Sequence, residues 1–305
     1  MQQWIRQCTL LISGGGSALD VSQMRIVFTV KKTQNETPNQ AQIRVYNLST
    51  TTENQIVHEG QRVTLQAGYK ENFGVIFDGD IIQVKKGREN GVETYVEIIA
   101  SDGDKAYNFS VINTTLSAGS TQADHVNVAN NAMGLGKSQI DSGGQPLPRG
   151  KVIFGNARDV LRQTAQSNNQ NWSIQNGQLQ MIAKNGLLSG QAIYLNSKSG
   201  LIGGAEQSNN GIKAKALLNP MIKIGGAVII DEIDVQYAKI KAPKPPKKHK
   251  SEEDPSKPVN KPAEISKDGA YKVIEVEYKG DTYGSDWYSE VICIDIQAVQ
   301  NGTEG

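Results

Sequence analysis

Cysteine and histidine are scarce in this sequence, and their scarcity excludes several kinds of chemistry. Of the 305 residues, two are cysteines and three are histidines. Cys8 and Cys293 each lie in an apolar run near one end of the chain, so we expect buried thiols and no disulfide framework. His58, His125 and His249 lie far apart and show no HExxH spacing or clustering with cysteine. No metal site is therefore predicted.

The sequence also lacks a charge excess and long apolar runs. Thirty-two Lys and Arg offset thirty-one Asp and Glu, for a net charge of +1, so no overall field attracts nucleic acid or an anionic membrane. The cations of 244–250 have no aromatic neighbours on which bases could stack, which favours a solvated loop or a contact with an acidic partner over nucleic-acid recognition. No stretch approaches the roughly 18 apolar residues of a membrane span. We expect synthesis and folding in a reducing cytoplasm.

Motifs for nucleotide binding and catalysis are incomplete. Gly136-Lys137-Ser138 ends like a phosphate-binding loop, but the glycine that should stand five positions earlier is Asn131, and the segment follows a predicted helix. The three glycines at 14–16 precede no helical pattern, which indicates a connection between two strands. No catalytic residue and no cofactor are predicted.

Pairs of aspartates occur twice, at 78–80 and 102–104, each pair flanking one glycine. Such pairs can act as acid and base, but Asp-Gly-Asp also suits a turn, and we interpret both segments as turns. The sequence Asp124-His125 is interpreted as a carboxylate at a helix start beside an exposed histidine.

The first third of the chain has the pattern of an all-β domain, to which we assign residues 1–114. Short runs of β-branched and apolar residues are separated by Gly, Asn, Asp and Thr, and Asn90-Gly91 predicts a hairpin turn. The predicted strands are 3–12, 23–31, 40–47, 61–69, 74–86 and 92–101.

Residues 115–187 change in pattern and predict a small α/β insertion domain containing helices and a hairpin. One helix is predicted to contain Ala123 to Met133 and to end at Gly134, and a second begins near Asn156. Asn176-Gly177 predicts a tight hairpin turn. Across that turn Trp172 and Ile174 should face Leu179 and Met181.

Strand patterns return in 188–305, at 190–236 and 270–298, and predict a second β domain. Between them, residues 241–268 hold six of the ten prolines and blocks of opposite charge. Their composition predicts a solvated, mobile loop. The order of patterns in the two β regions is similar, which indicates a diverged internal duplication.

A set of segments resembles the baseplate hub family of contractile-tailed phages. They are LLISGGGSALD, IRVYNLS, VTLQAGY, IFDGDII, GLIG, LLNPMIKIGG and YKGDTYGSDWY. The resemblance covers nearly the whole chain in order, and the last two segments are its most specific parts. It implies a mainly β fold with two tube-like β-barrel domains and a small helix-hairpin domain.

The resemblance also implies assembly and location. The subunit would form a homotrimeric ring in the virion baseplate, with six similar barrel positions, between a six-fold tail tube and a three-fold central spike. Its expected partners are the tube or tube initiator protein and the spike, with a tape-measure protein and other baseplate subunits as further candidates. Asp281, Asp286, Trp287 and Tyr288, in the last motif, are the predicted interface residues, because large aromatics often anchor interfaces. Packing of Trp287 within its own barrel remains the alternative for that residue.

Two other functions stay open at this point. A β-rich receptor- or carbohydrate-binding tail module would expose aromatic residues at loop tips, whereas most aromatics here lie within strand patterns. A cell-wall hydrolase would need a cleft with a shielded acidic residue, and no additional domain is long enough to supply one.

Overall fold

The computed structural model describes residues 5–14, 16–59, 61–141, 145–208, 211–230, 235–236 and 269–296. The predicted loop at 241–268 lies outside the described residues.

The described elements are nineteen strands and four helices. The first eight strands are β1 (Arg6–Gly14), β2 (Ser17–Asp20), β3 (Ile26–Thr33), β4 (Gln40–Tyr46), β5 (Arg62–Tyr69), β6 (Asn72–Glu89), β7 (Glu93–Ser101) and β8 (Val111–Leu116). The next are β9 (Gly136–Ile140), β10 (Lys151–Asn156), β11 (Gln170–Gln175) and β12 (Gln178–Ala183). The last are β13 (Ile193–Leu195), β14 (Ala205–Ser208), β15 (Gly211–Leu217), β16 (Ala227–Ile230), β17 (Val235–Gln236), β18 (Ala270–Asp281) and β19 (Trp287–Asp295). The helices are α1 (Thr50–Glu59), α2 (Asp104–Phe109), α3 (Gln122–Met133) and α4 (Ala157–Ser167).

The fold is mainly β, as predicted. Fourteen strands form one sheet with the order β17-β14-β15-β19-β18-β3-β4-β7-β6-β5-β1-β2, and β16 and β13 continue from β18 beside this path. Among the described strands the path has open ends and does not close, so the expectation of two closed barrels is not met. The reason is the pairing of β3 with β18, which joins the edge strand of the first β region to the second.

The two β regions repeat one pairing pattern. In the first, hydrogen-bonded neighbours follow the order β3-β4-β7-β6-β5-β1, and in the second the order is β14-β15-β19-β18-β16-β13. Corresponding pairs are antiparallel except the last, where β13 and β16 are parallel. This common order supports the predicted duplication.

A β-bulge fixes the correspondence between the two repeats. The pairing of β6 with β7 shifts between Ile81 and Gln83, and that of β18 with β19 shifts between Val273 and Glu275. The extra residue is an isoleucine in both cases, Ile82 and Ile274. When the strand pairings are followed from Ile82 and Ile274 across the two repeats, each residue of β14 is matched to one residue of β3.

The hydrophobic core is shared between the repeats. One cluster of buried residues extends from Leu10 in β1 to Cys293 in β19 and includes members of both β regions. A second cluster, with Val126, Leu161 and Trp172, fills the segment between them. The domain boundaries at 1–114, 115–187 and 188–305 stay a prediction.

Several local predictions are confirmed. Asn90 and Gly91 have positive φ angles at the β6–β7 turn, as do Asn176 and Gly177 at the β11–β12 turn. Across the second turn Trp172 pairs with Met181 and Ile174 with Leu179. Helix α3 ends at Gly134, which has a φ of 64°. Asn156 precedes α4 as predicted, although its side chain makes no capping hydrogen bond.

Two local interpretations are wrong. Asp78 and Asp80 lie within strand β6 and not in a turn, because Asp78 accepts two hydrogen bonds from Arg62 on the neighbouring β5. His125 is buried, with 7% of its surface exposed, because it lies on the face of α3 that packs onto the rest of the molecule. Its neighbour Asp124 is a carboxylate at the start of α3, as predicted, and forms a capping box with Thr121.

Candidate assembly surfaces

The hairpin that joins β18 to β19 carries all four predicted interface residues. Asp281 closes its base, where its backbone N–H donates to the Asp286 carbonyl at 2.8 Å. The Asp281 carboxylate accepts hydrogen bonds from Arg25 Nη2 at 2.9 Å and from the Tyr283 N–H at 2.9 Å. Partial burial opposes ionisation, but these bonds hold the pKa of Asp281 below its ordinary value. The carboxylate thus fixes the turn while ionised.

Trp287 is buried within its own chain. Its exposed fraction is 2%, its ring meets Phe28 edge-on at a centroid distance of 5.5 Å, and its indole Nε1 donates to the Gly68 carbonyl at 3.2 Å. Gly280 permits this packing, because a Cβ there would overlap the Phe28 and Trp287 rings. Trp287 therefore supports the hairpin from below and presents no open ring face, and its interface role stays a prediction.

The other three predicted residues are more accessible. Asp286 is exposed and Tyr288 is half-buried, with the Lys215 ammonium lying 3.5 Å from the centre of the Tyr288 ring. Tyr283, which is not among the four predicted interface residues, is 75% exposed at the tip. Arg6 secures the tip from the side, because its guanidinium donates to the Gly284 carbonyl at 2.7 Å.

The corresponding hairpin of the first repeat lies at the same end of the sheet. Strands β6 and β18 run in the same direction, since an even number of antiparallel steps separates them. The β6–β7 turn exposes Val92 (82%), much as the β18–β19 turn exposes Tyr283. Arg25 lies between the two turns and forms ion pairs with Glu93 at 3.4 Å and Asp281 at 2.9 Å. One rim of the sheet thus carries two similar tips.

A buried polar cluster attaches the β11–β12 hairpin to the large sheet. The Asp102 carboxylate accepts the backbone N–H groups of Asn176 at 2.5 Å and Gly177 at 2.8 Å. Lys32 donates to the Asn176 side chain, and the Asn39 amide donates to the Ile174 carbonyl at 2.8 Å. Burial lowers the pKa of Lys32 to about 8 and raises that of Asp102. These contacts fix the orientation of the hairpin.

The two-stranded sheet of β8 and β10 exposes an apolar face. Val111, Val152 and Phe154 are 60%, 71% and 79% exposed, and Phe109, just before β8, is 76% exposed. The pairing of Phe154 with Asn113 and of Val152 with Thr115 places Val111, Val152 and Phe154 on one face of this sheet. Contiguous apolar surface of this kind is typical of contact sites.

Chemistry-bearing clusters are not found in the part of the chain that the structure describes. No group of three or more His, Cys, Asp or Glu there could hold a metal ion. No described helix is long and apolar enough to cross a membrane. Cys293 is buried, as predicted, and Cys8 is half-buried; burial raises the pKa of each thiol to about 12. Gly136, Lys137 and Ser138 lie on β9 and form no phosphate loop.

Comparison with solved structures identifies the fold as that of phage tail proteins. The prophage MuSo2 43 kDa tail protein from Shewanella oneidensis aligns over 95% of this chain and 98% of its own, with a TM-score of 0.59 and 8% identity. A tail protein from Neisseria meningitidis MC58 aligns over 95% and 96%, with a TM-score of 0.57 and 7% identity. A type VI secretion component of E. coli, described as similar to the T4 tail proteins gp27 and gp5, aligns over 89% and 73%, with a TM-score of 0.52 and 8% identity.

The family follows from the sequence itself. The profile described as "Baseplate hub gp41" matches residues 5–233, which is most of the chain. The chain therefore belongs to this baseplate hub family, and it is a structural protein of the phage tail baseplate and not an enzyme. No significant match was found among curated protein sequences. The predicted resemblance is confirmed.

Proposed function

We propose that three copies of this chain form a ring that joins a six-fold tail tube to a three-fold central spike in the virion baseplate. The observation that carries this proposal is the internal repeat: each chain has two β units whose strands pair in the same order. Three chains in a ring then present six similar units to one side while keeping true three-fold symmetry for the other.

The rim with the two hairpin tips is the surface we assign to the six-fold partner. Val92 and Tyr283 project from equivalent turns, and Arg25 holds the bases of both turns together. In a trimer this rim would repeat the tips six times. The tube or tube initiator protein is the corresponding partner, and the spike, with other baseplate subunits, would bind elsewhere. A tape-measure protein would pass through the central opening.

Light scattering and electron microscopy test the proposal. Purified protein, alone or with its spike and tube partners, should have the mass of three chains, and class averages should show a three-fold ring with a central opening. A tip variant, Tyr283→Ala with Val92→Ala, should keep the ring and lose tube binding. Protein that stays monomeric with both partners present would contradict the proposal.

One observation favours the alternative of a receptor- or carbohydrate-binding tail module. Phe109, at the end of α2, and Phe154, on β10, are both largely exposed, and exposed aromatic rings can stack on sugars. A glycan or receptor screen with wild-type protein and Phe154→Ala tests it. Binding that Phe154→Ala abolishes, by a protein that forms no ring, would replace the hub proposal.

A further inference from the structure

One edge of strand β6 is paired with another strand over only half of its length. Its first half, to Asp80, pairs with β5, and its second half pairs with β7 on the opposite side. The β5-side edge of residues 82–89 therefore has no strand partner among the residues that the structure describes. Ile82, at the start of this edge, is 52% exposed. An open edge of this length is a template for another strand.

The equivalent edge in the second repeat is occupied. There β18 pairs with β16 through its first residues, and then with β3 from Glu275 to Asp281. Ile274, the counterpart of Ile82, is half-buried, and its carbonyl accepts the Gln34 N–H at 3.0 Å. The second repeat therefore shows how the edge of β18, the counterpart of the β6 edge, is paired in this fold.

From this asymmetry we infer that the open edge of β6 is paired, in the assembly, with β14 of a second copy of this chain. The occupant follows from the repeat, since β3 fills the edge of β18 and β14 is the strand that corresponds to β3. The inference rests on the proposed ring and supplies its subunit contact. Repeated around three chains, this contact would give a continuous sheet with no open edge at β6.

The repeat also sets the register of the contact. Thr29 pairs with Lys279 and Lys31 with Glu277 in the observed β3–β18 pairing. The corresponding pairs between copies are Glu206 with Gly87 and Ser208 with Lys85. Neither pair would be joined by backbone hydrogen bonds of its own. In the observed β3–β18 pairing those bonds lie at the alternate positions, as from the Gln34 N–H to the Ile274 carbonyl and from the Thr282 N–H to the Ile26 carbonyl.

Charge complementarity supports the same register. In the observed pairing, Lys31 forms an ion pair with Glu275, its diagonal neighbour across the strands, at 2.9 Å. The counterparts of Lys31 and Glu275 between copies are the uncharged Ser208 and Gln83. The neighbouring diagonal of the same kind joins Glu206 to Lys85, whose opposite charges allow an ion pair between copies. Both side chains are exposed in the single chain.

The inferred contact would displace strand β17 from β14. In the single chain it pairs with Ala205 and Glu206 of β14 through two residue pairs. The neighbouring β6 edge would take its place, exchanging this two-residue contact for a longer one. The inferred contact thus requires β17 to leave β14 when the ring forms.

Cysteine cross-linking of the full-length chain tests the inference. Lys85→Cys combined with Ser208→Cys should give, on mild oxidation, covalent dimers and trimers on a non-reducing gel. Each single variant should give no such ladder. Lys31→Cys with Glu277→Cys is the matched positive control: it has the same geometry within one chain and should form a disulfide without any increase in mass. The native thiols are poor competitors, because burial raises their pKa to about 12.

The outcomes separate the inference from the proposed function. Protein that has the mass of a trimer, forms the control disulfide and gives no ladder overturns the strand pairing and leaves the ring in place. Protein that stays monomeric with spike and tube partners contradicts both. A covalent trimer supports both.

A charge exchange gives a second readout. Lys85→Glu and Glu206→Lys should each raise the concentration at which the trimer dissociates by about two- to five-fold, as expected for an exposed ion pair. The double variant should return it toward the wild-type value. Lys85 also pairs with Glu97 of its own chain, so a defect of Lys85→Glu that Glu206→Lys leaves unchanged would count against the contact between copies.

Discussion

Arg25 donates a hydrogen bond to Asp281 at 2.9 Å, across 256 positions of sequence. The same guanidinium lies 3.4 Å from Glu93 and over the Tyr46 ring at 4.7 Å. It therefore connects the β6–β7 turn of one repeat to the β18–β19 turn of the other. In the proposed ring the two tips would need a fixed spacing, and Arg25 is placed to hold that spacing.

Replacing Arg25 should loosen both tips at once. Arg25→Ala removes its charged hydrogen bonds and its contact with Tyr46, and we expect a loss of about 1–2 kcal/mol in the free energy of unfolding. Amide hydrogen exchange should rise at both turns and not at β1. Arg149→Ala, which changes an exposed arginine elsewhere, is the control. Faster exchange at only one turn would show that Arg25 does not couple them.

Trp287 should matter first for folding. Trp287→Ala leaves a cavity beside Phe28 and should lower the free energy of unfolding by about 3–5 kcal/mol. Weaker trimerisation of this variant could therefore come from lost stability or from a lost contact. Trp287→Phe keeps most of the packing and loses the bond to the Gly68 carbonyl. We expect it to be folded and close to wild type in assembly. A folded Trp287→Phe protein that fails to assemble would point to a direct contact by the indole.

Local structure was predictable where a few neighbouring residues determine it. Asn90-Gly91 and Asn176-Gly177 form turns because both residues tolerate positive φ. Helix α1 was not predicted, because its sequence TTTENQIVHE has a weak apolar pattern and Ile56 is its one fully buried apolar residue among those described. Its position depends on packing that the local pattern does not show.

Long-range pairing was not predictable from local sequence. The β3–β18 contact joins Lys32 to Val276, and nothing in either strand alone specifies that partner. Asp78 shows the same limit on a smaller scale. Asp and Gly do favour turns, but the ion pair of Asp78 with Arg62 on the neighbouring strand places Asp78 within β6. The predicted interface residues were found together on one hairpin, whereas Arg6 and Arg25, which hold that hairpin, carry no motif.

His125 should make the protein less stable in acid. Burial lowers its pKa, with Lys151 acting in the same direction and Asp124 against it, and its Nε2 has no hydrogen-bond partner among the described residues. The unfolded chain therefore binds a proton first as the pH falls below about 6.5. Stability should fall from pH 7 to pH 5, and less so in His125→Leu. Equal slopes in the two proteins would exclude His125 as the cause.

Lys32 should make the free energy of unfolding depend on pH in the alkaline range. Burial lowers its pKa from 10.5 to about 8 in the folded chain, although Asp102 opposes this shift. Between these two values the unfolded chain binds more protons than the folded one, so the free energy of unfolding should rise with pH through that window. Below about pH 8 the contribution of Lys32 should be constant, because both states are then protonated.

The measurement is urea unfolding at pH 7, 8, 9 and 10 for wild type, Lys32→Met and Lys70→Met. The difference between wild type and Lys32→Met should grow in favour of wild type as the pH rises, while Lys70→Met, at an exposed site, should follow wild type at every pH. A difference that does not change with pH would mean that folding leaves the pKa of Lys32 at its ordinary value, and the inferred effect of its burial would be wrong.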